Sequence, residues 1–398
     1  MALDPYRRLL GIPGVRSLLL VGMFARIPST AVAITLTLHV VEELRLGFGA
    51  AGLVTAAATA GMAVGSPLAG RVVDRRGLRP VLAVTTLAQL AFWATAWAMP
   101  FPVLLVAAVP AGLLSLPVFS VIRQCLAALV PVEQRRIGFS LDSVIVELSY
   151  MAGPALAVAG VTFIGSVPTM GLVAVGLVAS GTTLFVLNPP IRSAAELKEP
   201  AVKVSWRQWL TPALFGLLGM TAAATFVLAA TELALVATMK QAGDTAWVGF
   251  AIALWCAYSL LGGLVYGMLP RGLSPLVLVA AMGLLTVPVG LVGGDWHWLI
   301  LALLPAGMLC APALSSTVDT VSRWVPAGAR GEAMGLHGTA LLIGGGVAAP
   351  IAGAIIDGHG PGWAFAFAGA VGVAMVLLAL PFWRRTAAPE EETLPAAA

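Results

Sequence analysis

Charged residues are scarce in this sequence. Asp, Glu, Lys and Arg make up only 10% of its 398 residues, whereas 59% are hydrophobic. A soluble domain carries about 25% charged residues, so this composition excludes an ordinary soluble fold. Chains this apolar, when divided into runs of about 20 residues, are solvated by a lipid bilayer. We therefore expect an integral membrane protein, and the formal charge of +4 gives no reason to expect a nucleic-acid partner.

Several chemical motifs are also absent. The sequence has no Gly-Lys-Ser/Thr phosphate-binding loop, which argues against ATP as the energy source. Cys125, Cys256 and Cys310 all fall in apolar runs, without metal-ligand or disulfide spacing. The histidines are scattered, and no set of nucleophile, base and orienting residue can be assembled. We therefore expect neither an enzyme nor a metal or cofactor site.

Twelve apolar runs are long enough to cross a bilayer. They cover roughly residues 16–41, 48–70, 80–99, 102–129, 137–164, 167–187, 211–237, 246–269, 274–293, 297–322, 333–356 and 361–383. Residues 188–210 are polar and Pro-rich, which predicts a cytoplasmic linker. The predicted fold is therefore all-α, with twelve transmembrane helices in two six-helix bundles at 1–187 and 211–383. A disordered tail is expected at 384–398.

The basic residues are distributed unevenly. If both termini are cytoplasmic, every Lys and Arg lies on a cytoplasmic segment except Arg26, Arg45, Arg123 and Lys240. This asymmetry satisfies the positive-inside rule. We therefore expect a multi-pass protein of a bacterial cytoplasmic membrane with both termini inside.

The two groups of six spans also resemble each other in sequence. VPAGLLSLPVFS at 109–120 aligns with LPAGMLCAPALS at 304–315, an offset of 195 that also aligns Pro131 with Pro326. Internal repeats in a protein with many spans are typical of transporters whose substrate site lies between the repeats. The repeat therefore favours a transporter over other membrane proteins.

The loop GRVVDRRGLRP, at 70–80, is the most polar passage of the first half. Its Gly70, Asp74, Arg75, Gly77 and Arg79 match in order the loop signature of the major facilitator superfamily. With the twelve spans and the repeat, the chain resembles this family over essentially its whole length. The resemblance implies that the loop latches the two halves together on the cytoplasmic side.

Elementary chemistry supports that role for the loop. Gly70 would let a neighbouring helix approach closely, and Gly77 permits a sharp turn. Asp74 can pair either with an arginine or with the positive N-terminus of a nearby helix. The second copy of the loop keeps Arg271 and Gly272 but has no acid at the position of Asp74.

A second motif lies in span 5. Gly153-Pro154 resembles the Gly-Pro motif that proton-coupled exporters of this family carry in this helix. Proline frees a backbone carbonyl and bends a membrane helix. The match is partial, because Ala157 and Val158 stand where glycines often follow. A generic helix bend is the alternative interpretation.

Ionisable residues inside the spans are costly, at roughly 2.5–3.5 kcal/mol each on insertion scales, and are usually paired or face a cavity. Arg26 and Glu147 lie at similar depths, about 15 Å from the cytoplasmic face at 1.5 Å per residue. We expect them to form a pair or a joint site. Together with Glu232 in span 7, they are the candidates for substrate binding and proton coupling.

The remaining intramembrane groups predict a gate: Arg123, Asp142, Asp319 and His337. Because Pro131 and Pro326 are equivalent, Arg123 and Asp319 lie at matching depths in spans 4 and 10. One hypothesis pairs these two across the halves. The alternative pairs Arg123 with Asp142 inside the first half. Asp142 and His337 can also be end-of-helix charges that reach the interface.

The sequence as a whole favours a secondary active transporter. We expect a monomer in the lipid bilayer that exports small organic molecules in exchange for protons and needs no cofactor. The alternative is an importer or facilitator of a sugar, an amino acid or another metabolite.

Overall fold

The computed structural model describes residues 4–196, 198, 205–244, 247–292 and 296–386. Within these residues all regular secondary structure is helical. The spans are span 1 Val15–Glu43, span 2 Phe48–Arg76, span 3 Leu78–Ala96, span 4 Phe101–Leu129, span 5 Val132–Ile164, span 6 Ser166–Leu187, span 7 Pro212–Ala242, span 8 Val248–Met268, span 9 Pro275–Leu291, span 10 Trp296–Trp324, span 11 Ala327–His359 and span 12 Pro361–Thr386.

Ten of these spans are long and apolar enough to cross a membrane, and the less apolar span 3 and the shorter span 9 complete the set within the described residues. A short helix precedes the first span of each half, at Asp4–Leu10 and Trp206–Trp209. The predicted all-α architecture of twelve spans is confirmed. Span 12 continues to Thr386, and residues 387–398 of the predicted tail lie outside the described residues.

Span 4 departs from the prediction of one continuous helix. It consists of Phe101–Leu113 and Val118–Leu129, separated by a non-helical break. Pro117 lacks the N–H that would continue the helix. The side-chain amide of Gln89 in span 3 donates to the carbonyls of Ala111 and Leu114, at 2.9 and 3.2 Å. The break is therefore stabilised by a neighbouring polar side chain, which the proline pattern alone does not reveal.

The two halves meet on one face of the molecule, where Arg75, Arg76, Arg135 and Arg136 lie at span ends. We call this side the arginine-rich face. Span 2 packs against span 11, span 4 against span 11, and span 5 against spans 8 and 10. Polar contacts join the halves from this face to about mid-span. The structure is therefore closed on the arginine-rich face.

Candidate functional site

Asp74, near the end of span 2, binds the beginning of span 11. Its Oδ1 accepts the backbone N–H of Gly331, and its Oδ2 accepts that of Glu332, both at 2.9 Å. The side-chain amide of Gln124 also donates to Oδ1, at 2.8 Å. A carboxylate here satisfies orphan N–H groups and interacts favourably with the helix dipole. The sequence left two possible partners for Asp74, an arginine or a helix N-terminus. In the structure its carboxylate binds the helix N-terminus.

Close backbone packing makes this contact possible. Gly70 lies directly against the carbonyl of Gly331, so a side chain at Gly70 would overlap the backbone of span 11. Arg71 pairs with Glu332 at 2.9 Å across the same contact. We call the contact of Asp74, Gly70 and Arg71 with the start of span 11 the first latch.

The rest of the loop motif lies outside this contact. Gly77 has a positive φ of 83°, which glycine adopts readily, and connects spans 2 and 3. Arg75 is exposed. Arg79 donates to the carbonyl of Phe185 in span 6, at 3.3 Å. The arginine in the first latch is therefore Arg71, which the motif-based prediction did not include.

A second contact across the halves joins span 5 to span 8. The guanidinium of Arg136 donates to the carbonyl of Tyr266, at 3.2 Å, and to that of Leu269. It also lies over the ring of Tyr266, 5.5 Å from the centroid. These carbonyls belong to the end of span 8, where a positive charge is favourable. We call this contact the second latch.

A buried ion cluster lies inside the first half. Arg26 and Asp142 are 0% and 1% exposed, and an Arg26 Nη2 to Asp142 Oδ1 distance of 2.7 Å pairs them. Arg123 Nε approaches the other oxygen of Asp142 at 3.3 Å. One carboxylate therefore serves two guanidinium groups. The Arg26–Asp142 contact is close in distance without hydrogen-bond alignment, and Arg26 Nε and Nη1 have no hydrogen-bond partner among the described residues.

The predicted pair of Arg26 with Glu147 is therefore wrong. The two residues lie at similar depths, but depth ignores the direction in which a side chain leaves the helix. Five residues separate Asp142 from Glu147, which turns the helix by about 140° beyond one full turn. Asp142 consequently faces span 1, while Glu147 faces span 8.

The predicted gate pair of Arg123 with Asp319 is also wrong in this structure. Asp319 pairs with Arg323, one turn further along span 10, at 2.9 Å. Arg123 forms the alternative pair with Asp142. Across the halves it approaches His337 Nδ1 at 3.5 Å. His337 is fully buried, and its Nε2 lies 2.9 Å from Thr317 Oγ1 in span 10. His337 therefore links the ion cluster to the second half.

Glu147 is the acid that lies between the halves near mid-span. Its Oε2 accepts a hydrogen bond from Ser259 in span 8, at 2.7 Å. No cation pairs with Glu147 within the described part of the chain. Glu232 in span 7 is exposed. The structure does not bring either acid into an ion pair with Arg26.

Gly153 and Pro154 lie where span 5 crosses span 1. A side chain at Gly153 would overlap Thr30 and the carbonyl of Ile27. Thr30 donates to the carbonyl of Ser149 across the crossing, at 2.8 Å. The helix of span 5 stays continuous through Pro154. Gly153 thus permits close packing of the two helices.

The described part of the linker contacts the first latch. Glu196 pairs with Arg330, at the start of span 11, with an Oε1 to Nη2 distance of 2.8 Å. Burial alone raises the pKa of Glu196, but the hydrogen bonds from Arg330 and Ser193 outweigh it and hold that pKa below its ordinary value. Arg192 reaches the backbone carbonyl of Asp74 at 3.5 Å.

Sequence reasoning missed Gln89, Gln124 and Arg136, because outside the loop motif only charges inside the spans were considered. Gln89 and Gln124 are buried, and a polar amide in an apolar span is itself a signal for a buried hydrogen bond. Arg136 lies at a span end, where the positive-inside pattern alone explains a basic residue.

Two pseudo-symmetric bundles of six helices, joined on one face with ionisable groups between them, are the architecture of a membrane transporter. The chain belongs to the major facilitator superfamily, whose family model matches residues 18–274 and 246–398. The expectation that it is a transporter and not an enzyme is confirmed.

Individual relatives support the same assignment. A chloramphenicol resistance protein of Streptomyces lividans is 31% identical over 369 residues, which cover 89% of this chain and 93% of the relative. The fold is similar to a bacterial homologue of the iron transporter ferroportin in an outward-facing state, with a TM-score of 0.74, 16% identity and coverage of 94% and 99% of the two chains. It is also similar to the proton:xylose symporter XylE, with a TM-score of 0.71, 14% identity and coverage of 92% and 95%.

Proposed function

We propose that this transporter exports small organic molecules in exchange for protons, and that Glu147 carries the coupling proton. The similarity to a chloramphenicol resistance protein supports export. The proposal that Glu147 is the coupling site rests on its hydrogen bond with Ser259, because this bond joins span 5 of one half to span 8 of the other.

The position of Glu147 suits a proton carrier. The carboxyl group of Glu147 is only partly exposed and has no cation partner among the described residues, so no ion pair has to break when it gains or loses a proton. Gain or loss of that proton changes the hydrogen bond to Ser259 and so changes a contact between the halves. Protonation at this position can therefore be coupled to the transition between the two access states.

The arginine-rich face is the cytoplasmic face in this proposal, following the positive-inside rule. Residues 1–187 and 211–383 then form the two moving domains, and residues 188–210 form the cytoplasmic linker between them. The protein acts as a monomer in a bacterial cytoplasmic membrane. In this proposal, closure of the cytoplasmic face by the two latches belongs to the state that releases substrate outward.

The test is transport by purified protein in proteoliposomes with an imposed pH gradient, with labelled chloramphenicol as the first probe. We expect flux that follows the gradient and collapses with a protonophore. Glu147→Gln should retain exchange of substrate across the membrane but lose its dependence on the gradient. Glu42→Gln, which removes an exposed acid at the far end of span 1, is the matched control and should behave like the wild type.

Each other outcome contradicts a named part of the proposal. Flux that ignores the gradient would indicate a facilitator. Net accumulation driven in the same direction as proton entry would indicate an importer. A Glu147→Gln variant with unchanged gradient dependence would exclude Glu147 as the proton carrier.

A further inference from the structure

The seven-residue helix Asp4–Leu10, which precedes span 1, contacts the opposite half of the molecule. Tyr6 and Leu9 lie about one turn apart on this helix and are buried, whereas the two arginines between them are exposed. The Tyr6 hydroxyl donates to the backbone carbonyl of Leu264 in span 8, at 2.7 Å. A segment that is covalently part of the first half is therefore bonded to the second half.

Span 8 has a notch that accommodates this tyrosine. Gly267 lies directly against the Tyr6 hydroxyl, so a side chain at Gly267 would overlap that oxygen. At the offset of 195 the counterpart of Gly267 is Val72 in span 2, which carries a side chain. The notch is therefore a feature of the second half alone, and it fits the helix that precedes the first half.

The short helix that precedes span 7 makes a contact of the same kind. The guanidinium of Arg71 in span 2 lies over the ring of Trp206, 5.8 Å from the centroid. Each half thus extends a short helix onto the other half. Only the contact of Tyr6 is a hydrogen bond to the backbone of the opposite half.

A short connection with two glycines joins the helix Asp4–Leu10 to span 1. It consists of Gly11, Ile12, Pro13 and Gly14, and Gly14 has a φ of 86°. Glycine adopts such a conformation readily and has the widest choice of others, and a few residues at the end of an element are enough to form a hinge. The helix can therefore change its orientation while span 1 stays intact.

We propose that the helix Asp4–Leu10 is a strap that stabilises the closed arginine-rich face and leaves span 8 when this face opens. The strap packs against spans 1 and 5 as well as binding span 8, so separation of spans 5 and 8 pulls it away from the notch. Its acceptor, the carbonyl of Leu264, is not one of the carbonyls that bind Arg136. The strap therefore adds a contact that does not depend on the second latch.

The experiment measures two spin-label distances by double electron–electron resonance in the full-length chain without its native cysteines. Labels at Arg8 and Leu273 report whether the strap lies on the second half, and labels at Val132 and Leu273 report whether the face is closed; all three positions are exposed. Tyr6→Phe keeps the ring and removes the hydroxyl, so the ratio of long to short distances should rise about two- to tenfold for both pairs. Tyr258→Phe, which removes a hydroxyl elsewhere on span 8, is the matched control and should change neither.

Gly267→Ala tests the notch from the other side of the contact. Its methyl group would overlap the Tyr6 hydroxyl, so the Arg8–Leu273 distance should lengthen in a larger fraction of molecules than in Tyr6→Phe. Combining the two changes removes the overlapping oxygen, so the double variant should resemble Tyr6→Phe and not the sum of both effects.

Three outcomes would overturn the proposal. Distances that stay the same in Tyr6→Phe and Gly267→Ala would show that the contact does not hold the strap. A strap that leaves span 8 while the Val132–Leu273 distance stays short would show that it does not stabilise the closed face. Strictly additive effects of the two changes would show that Gly267 does not act through Tyr6.

Discussion

The two latches close the same face of the molecule with charges of opposite sign. In the first, the carboxylate of Asp74 accepts two backbone N–H groups at the start of span 11. In the second, the guanidinium of Arg136 donates to the carbonyls of Tyr266 and Leu269 at the end of span 8. Each charge has the sign that the nearby helix terminus favours.

The internal repeat relates the two latches. At the offset of 195, Leu269 is the counterpart of Asp74, and Gly331 is the counterpart of Arg136. The contact is thus kept in both halves, but the charged side chain has moved to the other partner. Loss of the acid from the second copy of the loop is therefore not loss of the latch.

Reversing the charge of a latch residue should have the largest effect on the exposure of the arginine-rich face. Asp74→Lys would place a cation against N–H groups, and Arg136→Glu would place an anion against carbonyls. Both interactions become repulsive, so we expect each variant to expose the arginine-rich face more than neutral Asn or Gln at the same position. Maleimide labelling of Ser140→Cys, a buried site beside span 8, in a background lacking the native cysteines measures this exposure.

A result in which reversal and neutralisation expose Ser140→Cys equally would show that the sign of the charge is irrelevant. Arg75→Glu is the control, because Arg75 is exposed beside the first latch and should change labelling little.

Arg136→Lys should have an intermediate effect that separates charge from shape. Lysine keeps the positive charge but lacks the planar fork that reaches two carbonyls at once. We expect exposure of the arginine-rich face between that of the wild type and that of Arg136→Gln. If Arg136→Lys behaves like the wild type, charge alone holds the second latch.

Gln124→Leu should weaken only the first latch, by about 1 kcal/mol, since it removes one hydrogen bond to Asp74. The two backbone bonds to Asp74 remain, so the expected effect is smaller than that of Asp74→Asn. Asp319 is the counterpart of Gln124 at the offset of 195, but it forms its hydrogen bond with Arg323 and not with a residue of either latch. Asp319→Leu therefore removes no bond of a latch. Gln124→Leu labelling equal to the wild type would show that the amide is dispensable.

The smallest expected effect concerns pH and the linker. The pKa of Glu196 lies below its ordinary value in the folded protein. Its bond to Arg330 therefore stabilises the folded protein at pH values above the unfolded pKa of about 4.3. This stabilisation is lost as the pH falls through the folded pKa. Protease cleavage of the linker should therefore accelerate at acid pH. Glu196→Gln should be cleaved faster at neutral pH and show less acceleration in acid.

Much of the fold follows from the sequence for a simple physical reason. A bilayer demands long apolar helices, so span limits can be read from composition to within a few residues. The break in span 4 could not be predicted from composition, because it depends on hydrogen bonds from Gln89 in another helix. At the same offset of 195, span 10 carries Pro312 where span 4 has Pro117, yet it stays continuous, and Leu284 replaces Gln89.

The pairing of the ionisable groups was harder to predict. Depth along a helix is set by residue number, but the neighbour that a side chain faces is set by tertiary packing. Arg26 therefore pairs with Asp142 and not with Glu147. The bond from Asp319 to Arg323 was readable in principle, since residues four apart lie on one helix face. Which charges bind substrate or protons stays a prediction.

The central claim is that the two latches, of opposite sign, together hold the arginine-rich face closed. The most direct test is the distance between spin labels at Val132 and Leu273, two exposed positions on opposite halves, measured by double electron–electron resonance. Neutralising one latch costs about 0.3–2 kcal/mol, so Asp74→Asn and Arg136→Gln should each add a minor population at longer distance. The double variant should make that population dominant. A double variant with the single short distance of the wild type would contradict the account.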